Sequence, residues 1–518
     1  MISMKLLSIL KRGFTLARAG LAARDIRAAP DEENRERAKH YLVELLGKAR
    51  GLPAKVGQMM TLGGEDEELR QTLNDAIPPL PFAQVVEILE KAWGVPYGKV
   101  LRSLEKNGKP ASLGQVHFGR LKNGREVAVK VRFPDIARSV EAELELFGWM
   151  PKVGPVARWG FHLEEYRDVF WRNFSEELDY ESEMRHQQRY RELAAPLKDV
   201  VVPEVFPDLC RPNVIVQARE DGISLDTAEK MSLPERRSMA RATLRHCLYM
   251  LFFHGLVHSD PNPGNFAFRR MGREEYALIV YDYGSVLEIP ENMKLTLLRI
   301  ILALQYREPL DPAACLAALG FDPEKLADLR PVLPALLGVL FDPFTTDAPY
   351  NMDDWKISER FDNIAGELKW WFRSAAPAKL IFMMRTLYGL TAMLKRLQTP
   401  LPWRFILNNL CSEMYPAARR IVIPDSLPAS RPAPKFSGVA AYLKVHVIKP
   451  GGSEVRLTMP ARVAEDLEDV IDPPVKESIV RQGIDLVEIQ RRIARSGFLP
   501  QEVFELKDPQ RHVRVWLE

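Results

Sequence analysis

The chain has 518 residues and an apolar share of 46%, more than one ordinary domain needs, so two to four domains with substantial cores are expected. A formal net charge of +3 is small for this length and removes any general electrostatic case for a nucleic-acid partner. Cys210, Cys247, Cys315 and Cys411 lie far apart, without the close pairs of zinc or redox motifs, which argues against a disulfide framework and for a reducing cytosol.

In chain order, `MISMKLLSILKRGFTLARAG` breaks its apolar residues with Lys5, Lys11, Arg12 and Arg18, so it reads as a basic amphipathic helix rather than a signal-peptide core. Such a helix either packs on its own domain or makes a peripheral contact with an anionic membrane surface. Helical patterning runs on to about Arg70, and Phe82 to Leu104 predicts a further amphipathic helix or pair of helices. `SLGQVHFGRL` and `REVAVKVRF`, joined by a turn at Lys122 to Gly124, predict a β-hairpin. Val169 to Leu193 reads as one charged amphipathic helix, `VIVQARE` as a strand, and Arg236 to about Arg420 as mostly helical with a strand pair around `ALIVYDYGS`. The apolar run `LIFMMRTLYGLTAML` from Leu380 is short for a bilayer span and contains Arg385, so no transmembrane helix is expected. A Pro-rich linker follows at Pro424, and then a small α+β domain: a hairpin around Gly451-Gly452, two helices and the closing strand `HVRVWLE`.

The stretch `GLVHSDPNPGNFAF` places polar side chains on an irregular loop between apolar segments, because its prolines and glycine break regular structure. Asp260 and Asn265 stand five apart on that loop, and Asp282 ends the apolar strand in `IVYDYGS`. One carboxylate to orient a hydroxyl or water, with an amide and a second carboxylate for magnesium, is what phosphoryl transfer from ATP requires. Taken singly, Asp260 capping a helix and Asn265 satisfying a turn would be the commoner explanations; the joint D-x-x-x-x-N and strand-D-Y-G pattern is far more specific. Lys130 in `VAVKV` would be costly unpaired inside an apolar strand, and Glu183 on the following helix is its candidate partner; the alternative is a snorkelling lysine on an edge strand.

With these residues and three further motifs, the chain resembles the UbiB/AarF (ADCK-type) atypical kinases over about Leu45 to Arg420. `AKVGQ` matches the family's K-x-G-Q signature through Lys55, Gly57 and Gln58. `PASLGQVHFGRL` is similar to its alanine-rich phosphate loop: Ala111 and Ser112 remain, while Gly108, Lys109 and Pro110 replace upstream alanines. `EELDYESE` matches its E-x-D followed by the helix glutamate, which implies that Glu177 and Asp179 form a regulatory acidic pair and Glu183 the partner of Lys130. By the same resemblance Asp260 orients the acceptor and Asn265 and Asp282 hold the metal, with Asn262, Tyr283 and Ala218 as departures from the usual His, Phe and Glu.

The expected architecture is α+β, a protein-kinase-like two-lobed core with an N-terminal helical extension and a small C-terminal α+β domain. The expected division is 1–80 extension, 81–217 N-lobe, 218–423 C-lobe, 424–438 linker and 439–518 terminal domain. The resemblance implies ATP and Mg²⁺ as cofactors and ATP hydrolysis or phosphorylation of a small or lipid-like molecule, with a lipid or isoprenoid ligand and no nucleic acid among the partners. Two alternatives stay open: a non-catalytic ATP-gated lipid or partner-binding module, and a small-molecule kinase of the aminoglycoside-phosphotransferase type.

Overall fold

The computed structural model describes residues 79–423, except 112, 135, 137–162 and 367, together with 440–518, except 441, 449–453, 466, 468–470, 472, 483, 497–499 and 509–510. Lys55, Gln58, Ser112, the basic N-terminal segment and the Pro-rich linker lie outside the described residues.

The hairpin forms as its Asn-Gly turn predicts, with Gly124 in the left-handed region at φ 89° and Asn123 Oδ1 accepting the Arg125 amide at 3.1 Å. The strands that precede it are β1 (Leu101–Leu104) and β2 (Lys109–Pro110); the hairpin itself is β3 (Gly114–Leu121) and β4 (Glu126–Arg132). On its other side β4 pairs with β6 (Val214–Ala218), which follows the short β5 (Val200–Val201) in the chain. The sheet runs β1-β3-β4-β6, with β2 on β3, so Lys130 occupies an interior strand and the edge-strand explanation fails. Strand alternation sends Val127, Val129 and Val131 into one apolar core with Val85 and Leu89 of the helix Phe82–Trp93, and turns Lys130 to the opposite face.

Before the second lobe, two elements differ from the sequence expectation. Helical structure stops at Val100 and Leu101–Leu104 is strand; only Leu101 of those four is buried, so the run carries no alternation to announce it. The single helix expected over 169–193 is two, Leu163–Glu177 and Tyr180–Ala194. The break falls at Asp179, whose extended backbone (φ −105°, ψ 98°) lets its carboxylate accept the Glu181 amide at 3.1 Å as an N-cap.

The second lobe is built on the helix Leu233–His254, opened by a Ser232–Glu235 capping box and ended by Gly255 at φ 63°. Any side chain at Gly255 would also meet the Ile289 carbonyl oxygen, 2.3 Å from where its Cβ would lie. Next come β7 (Leu256–His258), β8 (Phe266–Arg270), β9 (Tyr276–Val280) and β10 (Val286–Glu288); β7 pairs with β10, while β9 joins β8 antiparallel and β5 parallel. Helices complete this lobe, and among the described residues none is long and apolar enough to cross a membrane.

The terminal domain has its own core and a four-stranded antiparallel sheet, β11 (Tyr442–Ile448), β12 (Glu454–Pro460), β13 (Gln501–Asp508) and β14 (Arg511–Leu517), in the order β12-β11-β14-β13. Helices Pro473–Arg481 and Leu486–Ser496 connect its two hairpins. The sequence did not announce β13, because an irregularity between Glu502 and Phe504 shifts the alternation.

One buried histidine gives the core a pH dependence. His246 shares a 2.7 Å hydrogen bond with the Tyr190 hydroxyl, and burial, helped by nearby His258, pushes its pKa down to about 3. The folded state stays neutral where the unfolded chain takes up a proton, so this contribution is present above about pH 6.5 and lost as pH falls toward 3, by an amount on the order of several kcal/mol. Urea midpoints measured from pH 7.5 down to pH 4 should therefore fall less in His246→Gln than in the wild type; equal slopes would refute the assignment.

Candidate active site

β4 delivers Lys130, the helix Tyr180–Ala194 delivers Glu183, and the turn after β9 delivers Asp282 to one point. Lys130 Nζ donates to Glu183 Oε1 and Oε2 at 2.9 and 3.0 Å and to Asp282 Oδ2 at 2.7 Å. The Tyr180 ring lies beneath the ammonium, 5.0 Å from its centroid. Burial alone would lower the lysine pKa, but Asp282 and then Glu183 outweigh it and hold Lys130 well above its ordinary value. Burial would likewise raise the Asp282 carboxyl, and Lys130 reverses this to a net lowering. The Glu183 carboxyl is instead pushed up, by burial and then by the Asp282 charge, although Lys130 touches it too. Glu183, 2% exposed against 22% for Asp282, is therefore the more reluctant anion of the two.

Asp282 is further fixed by its neighbours. Its Oδ1 accepts the Gly284 amide at 2.9 Å and its carbonyl accepts His258 Nε2–H at 2.6 Å. A Cβ at Gly284 would lie 3.3 Å from Asp282 Oδ1, 3.5 Å from Glu177 Cγ and 3.7 Å from Glu183 Oε2, so Glu177 belongs to the same neighbourhood. Asp179 caps its own helix, accepting the Glu181 amide at 3.1 Å and Ser182 Oγ at 2.7 Å. Tyr283 is buried, and its hydroxyl reaches the Val280 carbonyl at 2.9 Å, a partner that a phenylalanine would not need.

The polar loop folds as its prolines and glycine predict. Asn262 caps a single 3-10 turn, Pro263–Asn265, by accepting the Gly264 amide at 3.1 Å. Asn265 Nδ2 donates to the Asp260 carbonyl at 3.2 Å and to Asp260 Oδ2 at 3.1 Å, so its Oδ1 is the atom left for a cation. Among the described residues no three or more His, Cys, Asp or Glu are grouped to hold a metal alone. Two protein oxygens, Asn265 Oδ1 and an Asp282 oxygen, fit Mg²⁺, which completes its octahedron with water and nucleotide phosphates.

Ala111 closes the turn before β3 by donating its amide to the Gly114 carbonyl at 2.8 Å. At Gly108 a Cβ would lie 2.5 Å from His117 Nε2 and 3.0 Å from Gln115 Nε2, so an alanine there would require these side chains to shift. Ala218 ends β6, where its amide donates to the Glu204 carbonyl at 2.7 Å.

Sequence reasoning expected helix around Leu380 but missed that the helix Leu380–Leu397 meets the site. Its apolar run faces the polar loop along one side: Arg385 Nη2 donates to Asp260 Oδ1 at 2.5 Å, Thr386 Oγ1 donates to the His258 carbonyl at 3.0 Å, and Gly389 abuts Pro261. The available signal was a lone arginine in an apolar stretch, which requires a buried partner.

Residues 72–309 match the ABC1 atypical kinase-like domain. That match agrees with the UbiB/AarF resemblance carried by the sequence motifs, and the chain is similar to atypical kinases over this region. It is 29% identical over 269 residues to the mitochondrial atypical kinase COQ8B of Danio rerio, covering 50% of this chain and 42% of that one. It is also 29% identical over 372 residues to an uncharacterised protein of Synechocystis, covering 68% of this chain and 61% of the other. The chain spans about half the length of the curated relatives it matches. Among solved structures, a Mycobacterium tuberculosis protein in complex with erythromycin aligns with 73% of this chain and 96% of its own, at 21% identity and a TM-score of 0.48.

Proposed function

We propose that the chain is an ATP- and magnesium-dependent atypical kinase or ATPase that acts on a small or lipid-like molecule in isoprenoid-quinone or lipid homeostasis. The observation that carries this reading is the convergence of Lys130, Glu183 and Asp282 within 3.0 Å of one ammonium, beside a loop on which Asn265 hangs from Asp260. A lysine held between two carboxylates can pass to a nucleotide's phosphates without crossing an uncompensated state, because a new anion replaces part of the old one. Asp282 and Asn265 would then hold Mg²⁺, Asp260 would orient the attacking oxygen, and Glu183 would keep Lys130 in place. Bound magnesium would neutralise phosphate charge; the chain's own work is positioning.

In this reading Ala111 and Ser112 line the phosphate loop, Lys55 and Gln58 reach the site from the 1–80 extension, and Glu177 with Asp179 forms an acidic pair beside the metal. The same reading divides the remainder into an N-lobe over 81–217, a C-lobe over 218–423 and a terminal domain over 439–518.

The test is magnesium-dependent ATP binding and turnover in the full chain and in Asp282→Asn, with and without anionic liposomes. The variant should lose the metal-dependent part of nucleotide affinity, and liposomes should raise wild-type turnover. Absence of nucleotide binding by the wild type would overturn the reading.

A further inference from the structure

The ion pair between Arg385 and Asp260 is buried on both sides, with side-chain exposures of 6% and 11%. Among the described residues the Nε and Nη1 groups of Arg385 are buried and make no hydrogen bond. A guanidinium with two donors left dry is a poor stabiliser of a fold, because the penalty for unpaired buried N–H groups offsets much of the ion pair. The arginine is better explained by what its one bond does to Asp260.

Asp260 has one carboxylate oxygen on Arg385 and the other on Asn265 Nδ2. Arg385 therefore fixes the carboxylate plane, and the carboxylate in turn fixes the rotation of the Asn265 amide about its last bond. With Nδ2 committed, Oδ1 points away from Asp260, available to a cation. Thr386, the next residue on the helix, holds the His258 carbonyl, and His258 holds the Asp282 carbonyl, so the same helix reaches the other metal-ligand candidate through one relay. We infer that Arg385 is a positioning residue for the magnesium site: through Asp260 it sets the orientation in which Asn265 presents its oxygen to the metal. This rests on the proposed ATP and magnesium reading.

The residue is too deep to touch nucleotide in this arrangement, so its loss should leave metal-free nucleotide binding intact. Groups that orient a metal ligand from outside the coordination shell change metal affinity by roughly ten- to a hundredfold when removed. The experiment titrates MgCl₂ against the full chain at fixed ADP and reads the magnesium concentration at half-maximal nucleotide binding, with metal-free ADP affinity and thermal midpoint measured alongside. Arg385→Met should raise the magnesium midpoint about tenfold with unchanged metal-free affinity. Arg385→Lys, which keeps the charge without the planar fork, should fall between it and wild type. An unchanged magnesium midpoint overturns the inference, as does a loss confined to thermal stability and metal-free affinity. If Arg385→Met does not fold, the lysine variant carries the test: an intermediate midpoint supports the inference, and the wild-type value sinks it. Failure of the wild type to bind ADP with magnesium would sink the proposed function itself, and is visible without any variant.

Discussion

Under the proposed function, Gly389→Ala is expected to abolish most turnover while leaving metal-free nucleotide affinity and stability near their wild-type values. The Cβ it adds would lie 1.9 Å from Pro261 Cβ, 2.4 Å from its Cγ and 3.3 Å from its Cα, and real carbon atoms do not approach so closely. A flexible side chain could swing aside. A pyrrolidine ring tied into the backbone next to Asp260 cannot, so the loop must move. The opposite response, retreat of the helix, is resisted one turn earlier by Arg385 on Asp260 and Thr386 on the His258 carbonyl. Two effects on stability oppose each other: overpacking costs about 1–3 kcal/mol, and alanine replaces glycine in a helix with a gain of about 1 kcal/mol. Catalysis has no such compensation, since displacing a reacting geometry by about 1 Å costs on the order of a hundredfold in rate. Lys130, Glu183 and Asp282, which would meet the phosphates, stand on other elements than the clashing pair. Steady-state ATP turnover, metal-free nucleotide affinity and thermal midpoint measured on one preparation separate these outcomes. Adding Pro261→Gly, which removes the ring, should return part of the lost turnover. Wild-type turnover in Gly389→Ala would mean that the helix yields and does not set the loop.

How far the sequence already contained this site depends on the range over which each residue acts. Asp260, Asn265 and Asp282 lie within one short segment, and their loop conformation is fixed locally by prolines, a glycine and the Asn262 cap, so the pattern was legible. Lys130 announced its need for a partner through its apolar neighbours, and the partner lay on the predicted helix. The acidic segment was harder. Helical periodicity continues across Leu178-Asp179, and only the capping chemistry of Asp179 shows that two helices meet there. Arg385 was the least legible, because its partner is 125 residues away and the periodicity around it describes only a buried helix. Gly389 was scarcely more legible: a glycine in an apolar helical run says that something approaches closely, not what. The fold followed the same rule. The hairpin carried its turn in its own sequence, whereas Leu101–Leu104 and β13 are strands because of what lies beside them.

The same local charge balance makes Lys130→Met the most damaging single change to both stability and binding. Glu183 is 2% exposed and Asp282 22%, and the variant leaves both carboxylates at the lobe junction with their shared cation gone. Removing one member of a buried ion pair costs about 3–5 kcal/mol, and the partial exposure of Asp282 and Lys130 favours the lower end, about 3 kcal/mol. The sign of the pH dependence follows from the same three groups. In the wild type Lys130 holds Asp282 below its ordinary pKa, a contribution present at neutral pH and lost on acidification through the carboxylate range. Without the lysine that lowering disappears, and burial with mutual repulsion raises both carboxyls in the folded state. The folded variant then binds protons that the unfolded chain releases, so it is relatively stable in acid and loses stability as pH rises. The stability gap between variant and wild type should therefore be widest near pH 8 and narrow toward pH 5, in metal-free buffer followed by urea denaturation. Adding Glu183→Gln removes the more reluctant of the two anions and should restore much of the stability at pH 8, but not nucleotide affinity, because no cation then meets the phosphates. A gap that stayed constant with pH would mean that the lysine acts through packing of its alkyl chain rather than through the charge it carries.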